Sequence, residues 1–405
     1  MLQRLRTAQR EYPAQFWLLF WGLLISTTGS SMIWPFQMIY ISEKLQQPLS
    51  VVASLNTLNA IVGILTSFIA GPISDRVGRK GVMVVSLLWN AVNYVLLSQA
   101  DSLTAFAILI AISGVFNPLY RVGADAMLAD LIPSEKRTDA YSLLRMSNNV
   151  GVAVGPSIGG LIAAQSYTIA FFGAAVCLAI YGFLVVFRGR ETLAKPSTTV
   201  EQPKERLGGY GSILKDGQFM PFVVSFTFTT MCASIMWVMM AVYAKQNFGL
   251  SESLYGFIPT TNALMVIGLQ IFVTNWTKKH QPLPMLTLGT FFYAISLGMV
   301  ALSSGFWGFW TAMVVMTIGE LILMPTATTY AANLAPADKR GRYMSIYGLT
   351  WNVASGTGPV LAGFLNDKIA PVAIWYGGFV IGLFSVASFR IISRRAAKKP
   401  SLTGS

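Results

Sequence analysis

The octapeptide DLIPSEKR at residues 130–137 returns as NLAPADKR at 333–340, an offset of 203. The same offset continues without gaps through Ser142/Ser345, Asn149/Asn352, Val150/Val353, Gly155/Gly358, Pro156/Pro359 and Gly160/Gly363. Over residues 129–160, 11 of 32 positions are identical, against about two expected by chance, and such self-similarity is read before any other feature. The chain is therefore two related halves. The longest polar interruption, 188–218, carries Pro, Gly and mixed charge and separates them. The expected organisation is an N-terminal half 1–187, a cytoplasmic linker 188–218 and a C-terminal half 219–405.

Composition says what the halves are made of. Hydrophobic residues form 54% of the chain and charged residues 11%, with a mean hydropathy of +0.57. A transmembrane helix needs about 20 mostly apolar residues, and twelve such stretches occur, six on each side of the linker. They lie near 16–41, 51–74, 82–98, 104–129, 141–165, 168–187, 219–245, 252–275, 283–302, 306–331, 343–365 and 371–392. The expected fold class is an all-α integral membrane protein of twelve transmembrane helices in two pseudo-symmetric halves.

The net charge of +13 is explained by this topology. With a cytoplasmic N-terminus, 25 of the 29 Lys and Arg fall on cytoplasmic segments or their borders; Lys44, Lys245 and Lys368 face the other side and Arg121 lies within a span. That bias sets orientation and excludes a nucleic-acid reading. Both termini are expected in the cytoplasm of a bacterial cell, with the protein in its inner membrane. The apolar span after Arg4, Arg6 and Arg10 is too long for a signal peptide and lacks a small-residue cleavage site. The two cysteines, Cys177 and Cys232, both sit in spans, so no disulfide framework is implied. The lone histidine, His280, belongs to a basic loop. Histidine-based catalysis and His-containing metal sites have nothing to build on, and neither enzyme activity nor a cofactor is expected.

Two further stretches carry a family resemblance. GPISDRVGRK, 71–80, occupies the loop between the second and third spans. Gly71 and Gly78 permit a tight turn, Asp75 can neutralise a helix N-terminus, and Arg76, Arg79 and Lys80 hold the loop at an anionic membrane face. It resembles the G-x-x-x-D-R-x-G-R-[RK] signature of the major facilitator superfamily, with every fixed position filled. The resemblance implies a gating latch built from Asp75, Arg79 and Asp130. The corresponding loop of the second half, TNWTKKHQ, has neither Asp nor Arg, so the latch is expected to be one-sided. GVAVGPSIGG, 151–160, resembles the G-x-x-x-G-P-x-x-G-G motif of the drug:proton antiporter branch. Gly151, Gly155, Pro156, Gly159 and Gly160 would serve close helix packing, and the motif tilts direction toward export.

Charges in the spans are few: Arg121, Asp125 and Glu320. Arg121 and Asp125 share one helix face, four residues apart, and read equally as a structural clasp or a working pair. Glu320 sits in MTIGELILMP, 316–325, near the centre of its span, and the offset maps it onto Asn117. Ionisable groups inside the bilayer are costly and usually functional. In the superfamily the first, fourth, seventh and tenth helices line a central cavity. The resemblance thus implies Asn117, Arg121 and Glu320 around one space, with Glu320 and Asp125 as candidates for proton coupling. Trp34, Gln37, Trp237 and Met236 are further candidates for substrate contact, and Pro35 should kink the first helix.

The expected function is a monomeric secondary active transporter, driven by proton entry, that exports an amphipathic or lipophilic small molecule from a lipid setting by alternating access. The alternatives are a lysolipid or glycolipid translocator, or a facilitator or symporter of a polar solute. A channel is disfavoured, because no filter-like loop or charge ring is present.

Overall fold

The computed structural model describes residues 12–133, 136–193, 210–336 and 339–398. Most of the expected linker, 194–209, and the N-terminal arginines therefore lie outside the described residues. The first apolar span forms α1 (Ala14–Ile33) and α2 (Gln37–Leu45), separated by a 3-10 turn at Trp34–Phe36. Pro35 stands inside that turn, where its missing N–H and fixed φ interrupt the α-helical ladder. The expected kink is a full break.

The remaining helices are α3 (Leu49–Val77), α4 (Arg79–Gln99), α5 (Leu103–Leu131), α6 (Arg137–Ala163), α7 (Tyr167–Arg188), a short α8 (Tyr210–Leu214), α9 (Phe219–Phe248), α10 (Glu252–Thr277), α11 (Pro282–Ala301), α12 (Phe306–Leu334), α13 (Arg340–Lys368) and α14 (Ala373–Lys398). Local chemistry marks their ends. Ser102 and Ser166 accept the N–H groups of Ala105 and Ile169 at the starts of α5 and α7. Asp216 accepts from Gln218 and Phe219 at 2.8 and 2.9 Å before α9, and Gly249 ends α9 at φ 64°.

Among the described residues, ten helical spans are long and apolar enough to cross a membrane, with α1 and α2 counted as one. The two other long helices, α6 and α13, have 27 and 29 residues. They are long enough but more polar, because Arg145, Asn148 and Asn149 interrupt one, and Arg342 and Asn352 the other. The fold is that of a twelve-helix multi-pass membrane protein.

Residues cluster into two compact units: Met1–Gln47, Leu55–Val200 and Leu250–Ile267 form the first, and Pro48–Ser54, Glu201–Gly249 and Gly268–Ser405 the second. The helix pairing inside them matches the sequence repeat. In the first unit α1 packs on α6 and α7, and α4 on α5 and α7; in the second, α9 packs on α13 and α14, and α11 on α12 and α14.

Small residues permit the closest of these approaches. On α6, a Cβ at Gly151 would meet Thr27 at 2.8 Å, one at Gly155 would meet the Thr28 carbonyl at 2.6 Å, and one at Gly159 would collide with the Met32 carbonyl. Gly160 sits against the Glu252 backbone at the start of α10. Ser253 donates to the Gly160 carbonyl at 3.4 Å, and Tyr167 donates to the buried Glu252 carboxylate. The second unit repeats the device with different polar groups. Gly363 on α13 lies against Ser50, and Asp367 accepts the N–H groups of Leu49 and Ser50 at 3.1 and 2.9 Å and the Ser50 hydroxyl at 2.6 Å. Buried hydroxyls also stitch α9 to α11 and α14, with Thr229 bonded to Thr290 at 3.1 Å and to Ser385 at 2.8 Å. Interhelical hydrogen bonds of this kind contribute about 0.6 kcal/mol each in membranes.

Gly159→Ala, by forcing a methyl into the Met32 carbonyl, should lower stability by about 1–3 kcal/mol. Gly268→Ala, where a Cβ meets nothing within 4 Å, should be neutral or stabilising. Size-exclusion thermostability of the two purified variants checks this, and equal melting midpoints would contradict it.

Candidate functional site

Asn117, Arg121 and Asp125 stand four residues apart on α5, and all three side chains are exposed. That spacing makes one stripe along the helix. Beside it α6 supplies Tyr141, Arg145 and Asn148, α1 supplies Leu19 and Leu23, and α7 supplies Tyr181. Together with Tyr120, Arg121, Ala124 and Asp125 of α5, these groups line an open cavity of about 290 Å³ within the first unit.

Its walls are held in place by ordinary contacts. Ser147 of α6 donates to the Phe20 carbonyl at 2.7 Å, and Thr27 donates to Asn148 Oδ1 at 3.1 Å. Its oxygen already accepts one bond, and Asn148 keeps its NH₂ to offer a ligand. Tyr120 donates to Tyr181 across 3.4 Å, with the rings edge to face. Tyr141 reaches the Asp125 carbonyl at 3.5 Å. Asn117 lies at the upper end of the stripe, its Oδ1 accepting from the buried Asn90 of α4 at 3.1 Å.

Arg121 and Asp125 interact electrostatically without closing into an ion pair, so the structure does not contain the clasp that their spacing allowed. The described ion pairs are Arg79–Asp75 and Arg79–Asp130. Hydropathy starts the fifth span at 141 and so puts Arg145 at its border. The helix begins at Arg137, which places Arg145 more than two turns inside it and on the cavity wall. Its depth was the available signal. Tyr120, Tyr141, Asn148 and Tyr181 had none, because nothing in their spacing separates a cavity wall from a packed face.

Glu320 belongs to the second unit. It is half-buried on α12, next to Gly319, whose missing side chain brings α12 against the Gly289 carbonyl of α11. Gln270 of α10 donates to the adjacent Leu321 carbonyl at 3.1 Å. Trp34 is 44% exposed at the α1–α2 break and Gln37 is half-buried. Trp237 is half-buried on α9. Met236 is fully buried, so it packs between helices and is no candidate for an open surface.

Asp75, Arg79 and Asp130, the residues expected to form a latch, come together within the first unit. Gly78 adopts φ 95° between α3 and α4, a conformation suited to glycine. Arg79 then reaches Asp75 at 2.8 Å and Asp130 at 3.2 Å and donates to the Ser74 carbonyl at 3.1 Å. Gly71 meets nothing within 4 Å, and Arg76 is exposed. One member was not foreseen. Glu191, just after α7, accepts the N–H groups of Arg79 at 3.0 Å and Lys80 at 3.1 Å, opening α4, and those of Thr192 and Leu193. Thr192 in turn donates to Asp130 at 3.0 Å. In the sequence Glu191 looks like any linker charge.

The Major Facilitator Superfamily sequence profile matches residues 19–246 and 222–405. The chain belongs to the Major Facilitator Superfamily. It is a membrane transporter and not an enzyme. Among Major Facilitator relatives it is 27% identical over 372 residues to the uncharacterized MFS-type transporter YqjV of Bacillus subtilis, covering 91% of this chain and 86% of that one. It is 24% identical to a Na(+), Li(+), K(+)/H(+) antiporter of Planococcus maritimus, over 91% and 92% of the two chains. It is 23% identical to the multidrug resistance protein MdtH of Escherichia coli, over 97% and 98%. The crystal structure of a POT family transporter in complex with 5-aminolevulinic acid matches with a TM-score of 0.79 at 15% identity, over 95% of this chain and 96% of that one. That likeness is one of fold.

Burial disfavours charge on Glu191, but the four backbone N–H groups outweigh it and hold its carboxyl below the usual carboxylate range. Its stabilising contribution is therefore complete above the unfolded value of about 4.3 and is lost as pH falls through the lower folded value. Glu191→Gln should cost about 1 kcal/mol at neutral pH, as loss of a helix cap does. Thermal unfolding from pH 7 to pH 3 should show the gap between the two proteins closing on acidification; a gap independent of pH would contradict the assignment.

Proposed function

We propose that this Major Facilitator transporter exports an amphipathic small molecule in exchange for protons, from a bacterial plasma membrane with both termini in the cytoplasm. The observation that carries the proposal is an acid–base pair, Arg121 and Asp125, opening into a cavity from a membrane-spanning helix. An exposed carboxylate there can exchange a proton with water entering the cavity, and its arginine neighbour changes the balance when cargo arrives. Glu320, half-buried in the second unit, is the preferred coupling group, and Asp125 is the second. A carboxyl in each unit gives alternating access two places to load and release a proton.

The names of two relatives support this direction: one is an ion/proton antiporter and one a multidrug resistance protein. The cavity itself does not favour an alkali cation as cargo, because two arginines line it against one aspartate. Its leucine and tyrosine walls suit an amphipathic body, with apolar surface for binding and few polar groups for orientation. Asp75, Arg79 and Asp130 govern conformational change in this reading and do not touch cargo.

Reconstitution into liposomes with an imposed proton gradient tests the assignment. Glu320→Gln should lower gradient-driven accumulation of a fluorescent amphipath at least tenfold while retaining exchange without a gradient. Asp125→Asn should reduce both. Unchanged gradient-driven accumulation in Glu320→Gln would remove Glu320 from coupling, and unchanged accumulation in both variants would overturn proton exchange through these carboxyls.

A further inference from the structure

The cavity's charge balance and the chemistry of its polar atoms narrow what it can hold. Arg121 lies about 6 Å beyond the midpoint of α5, and Arg145 about 7.5 Å before that of α6. Both are displaced toward the connection between those helices, so the guanidinium-bearing residues stand at similar depth on facing walls. Asp125, one turn from Arg121 on the same helix, offsets part of that residue's field. Arg145 has no such neighbour on its own helix, where the flanking cavity residues are Tyr141, Leu144 and Asn148. Neither arginine forms an ion pair with a described residue.

The rest of the lining points the same way. Asn148 accepts one bond from Thr27 and offers its NH₂. Tyr141 has a hydroxyl held only by a long contact of 3.5 Å. The two guanidinium groups are donors only, and the Asn148 NH₂ and the tyrosine hydroxyls can also donate. A cavity lined by one excess positive charge and several donors attracts an anion. The complementary ligand carries one anion, and a planar carboxylate matches the guanidinium fork with two parallel hydrogen bonds.

We infer that this cavity recognises the single anionic head of a small amphipath, with Arg145 as the specificity-determining residue. The volume of about 290 Å³ is at the small end for ligand pockets and accommodates a head group and one ring against Leu19, Leu23 and Leu144. A zwitterion also fits, its cationic end drawn to Asp125. The inference rests on the carrier reading only in treating the bound anion as cargo.

Binding to purified protein without any gradient keeps the two readings apart. The probes are 1-naphthylacetate, its neutral amide, 1-naphthylmethylammonium and a short-chain phosphatidylglycerol. Naphthylacetate should bind at least tenfold tighter than the amide, and the ammonium should bind weakest. Arg145→Gln should abolish the acid's advantage and leave amide affinity within twofold, which also shows that the variant is folded. Arg145→Lys should restore part of the advantage. Arg145-dependent binding of the lipid alone would keep the anion site and assign it to a lipid head group. Equal affinities across the series, no binding by any probe, or an acid preference that survives Arg145→Gln would each overturn the inference. Acid-selective binding without proton flux would defeat the exchange proposal alone; proton-driven transport without acid preference would defeat this one alone.

Discussion

The approach of α6 to α1 at Gly155 and Gly159 constrains most of the first unit. A methyl at either position would enter the backbone of α1 around Thr28–Met32. In lipid, helices gain little from burying apolar surface against each other, so close van der Waals fit must hold them together. The seam changes character along α6. Its glycine end closes on α1, whereas its other end carries Tyr141, Leu144, Arg145 and Asn148, whose bulk leaves the cavity open. One helix thus supplies both the rigid contact and the polar wall. This also accounts for why α6 is less apolar than its neighbours.

The sequence repeat reproduces the packing without reproducing the chemistry. Gly160 and Gly363 play matching parts, each against the backbone at the start of another helix. In one unit the accompanying carboxylate is Glu252, bound by Tyr167; in the other it is Asp367, bound by the first residues of α3. Likewise Asn117 and Glu320 are related by the offset, yet Asn117 is tied to Asn90, while Glu320 stands beside Gly319, where α12 meets α11. Small residues are retained because backbone clearance tolerates nothing larger. Polar groups have diverged because each needs only some partner.

Features imposed by the backbone were the legible ones. Apolar length gave the spans, Pro35 gave the break in the first helix, and the Arg79–Asp75 contact follows from the adjacency of turn and charges in GPISDRVGRK, whereas Asp130 was named only through the family resemblance. Glu191 escaped notice, since its partners on α4 lie more than 100 residues away. Arg145 was not singled out, because a span boundary judged by hydropathy moves when a polar side chain lies inside the helix. Met236 shows the converse limit: residue type suggested a binding surface, and packing decided otherwise. Periodicity names a face, and only the neighbouring helices determine whether that face is wall or core.

The cavity framed by α5 and α6 in the first unit carries an excess positive charge. Ala124, on its wall, offers the most direct probe. With Cys177 and Cys232 replaced, Ala124→Cys should react with both anionic and cationic methanethiosulfonates. Relative to a small thiol in free solution, the rate ratio should favour the anionic reagent; this preference should vanish when Arg145 alone is replaced by Gln and reverse when Arg121 is replaced as well, which leaves the charge of Asp125. A thiol that neither reagent reaches, or one that favours the cation, would contradict such a cavity.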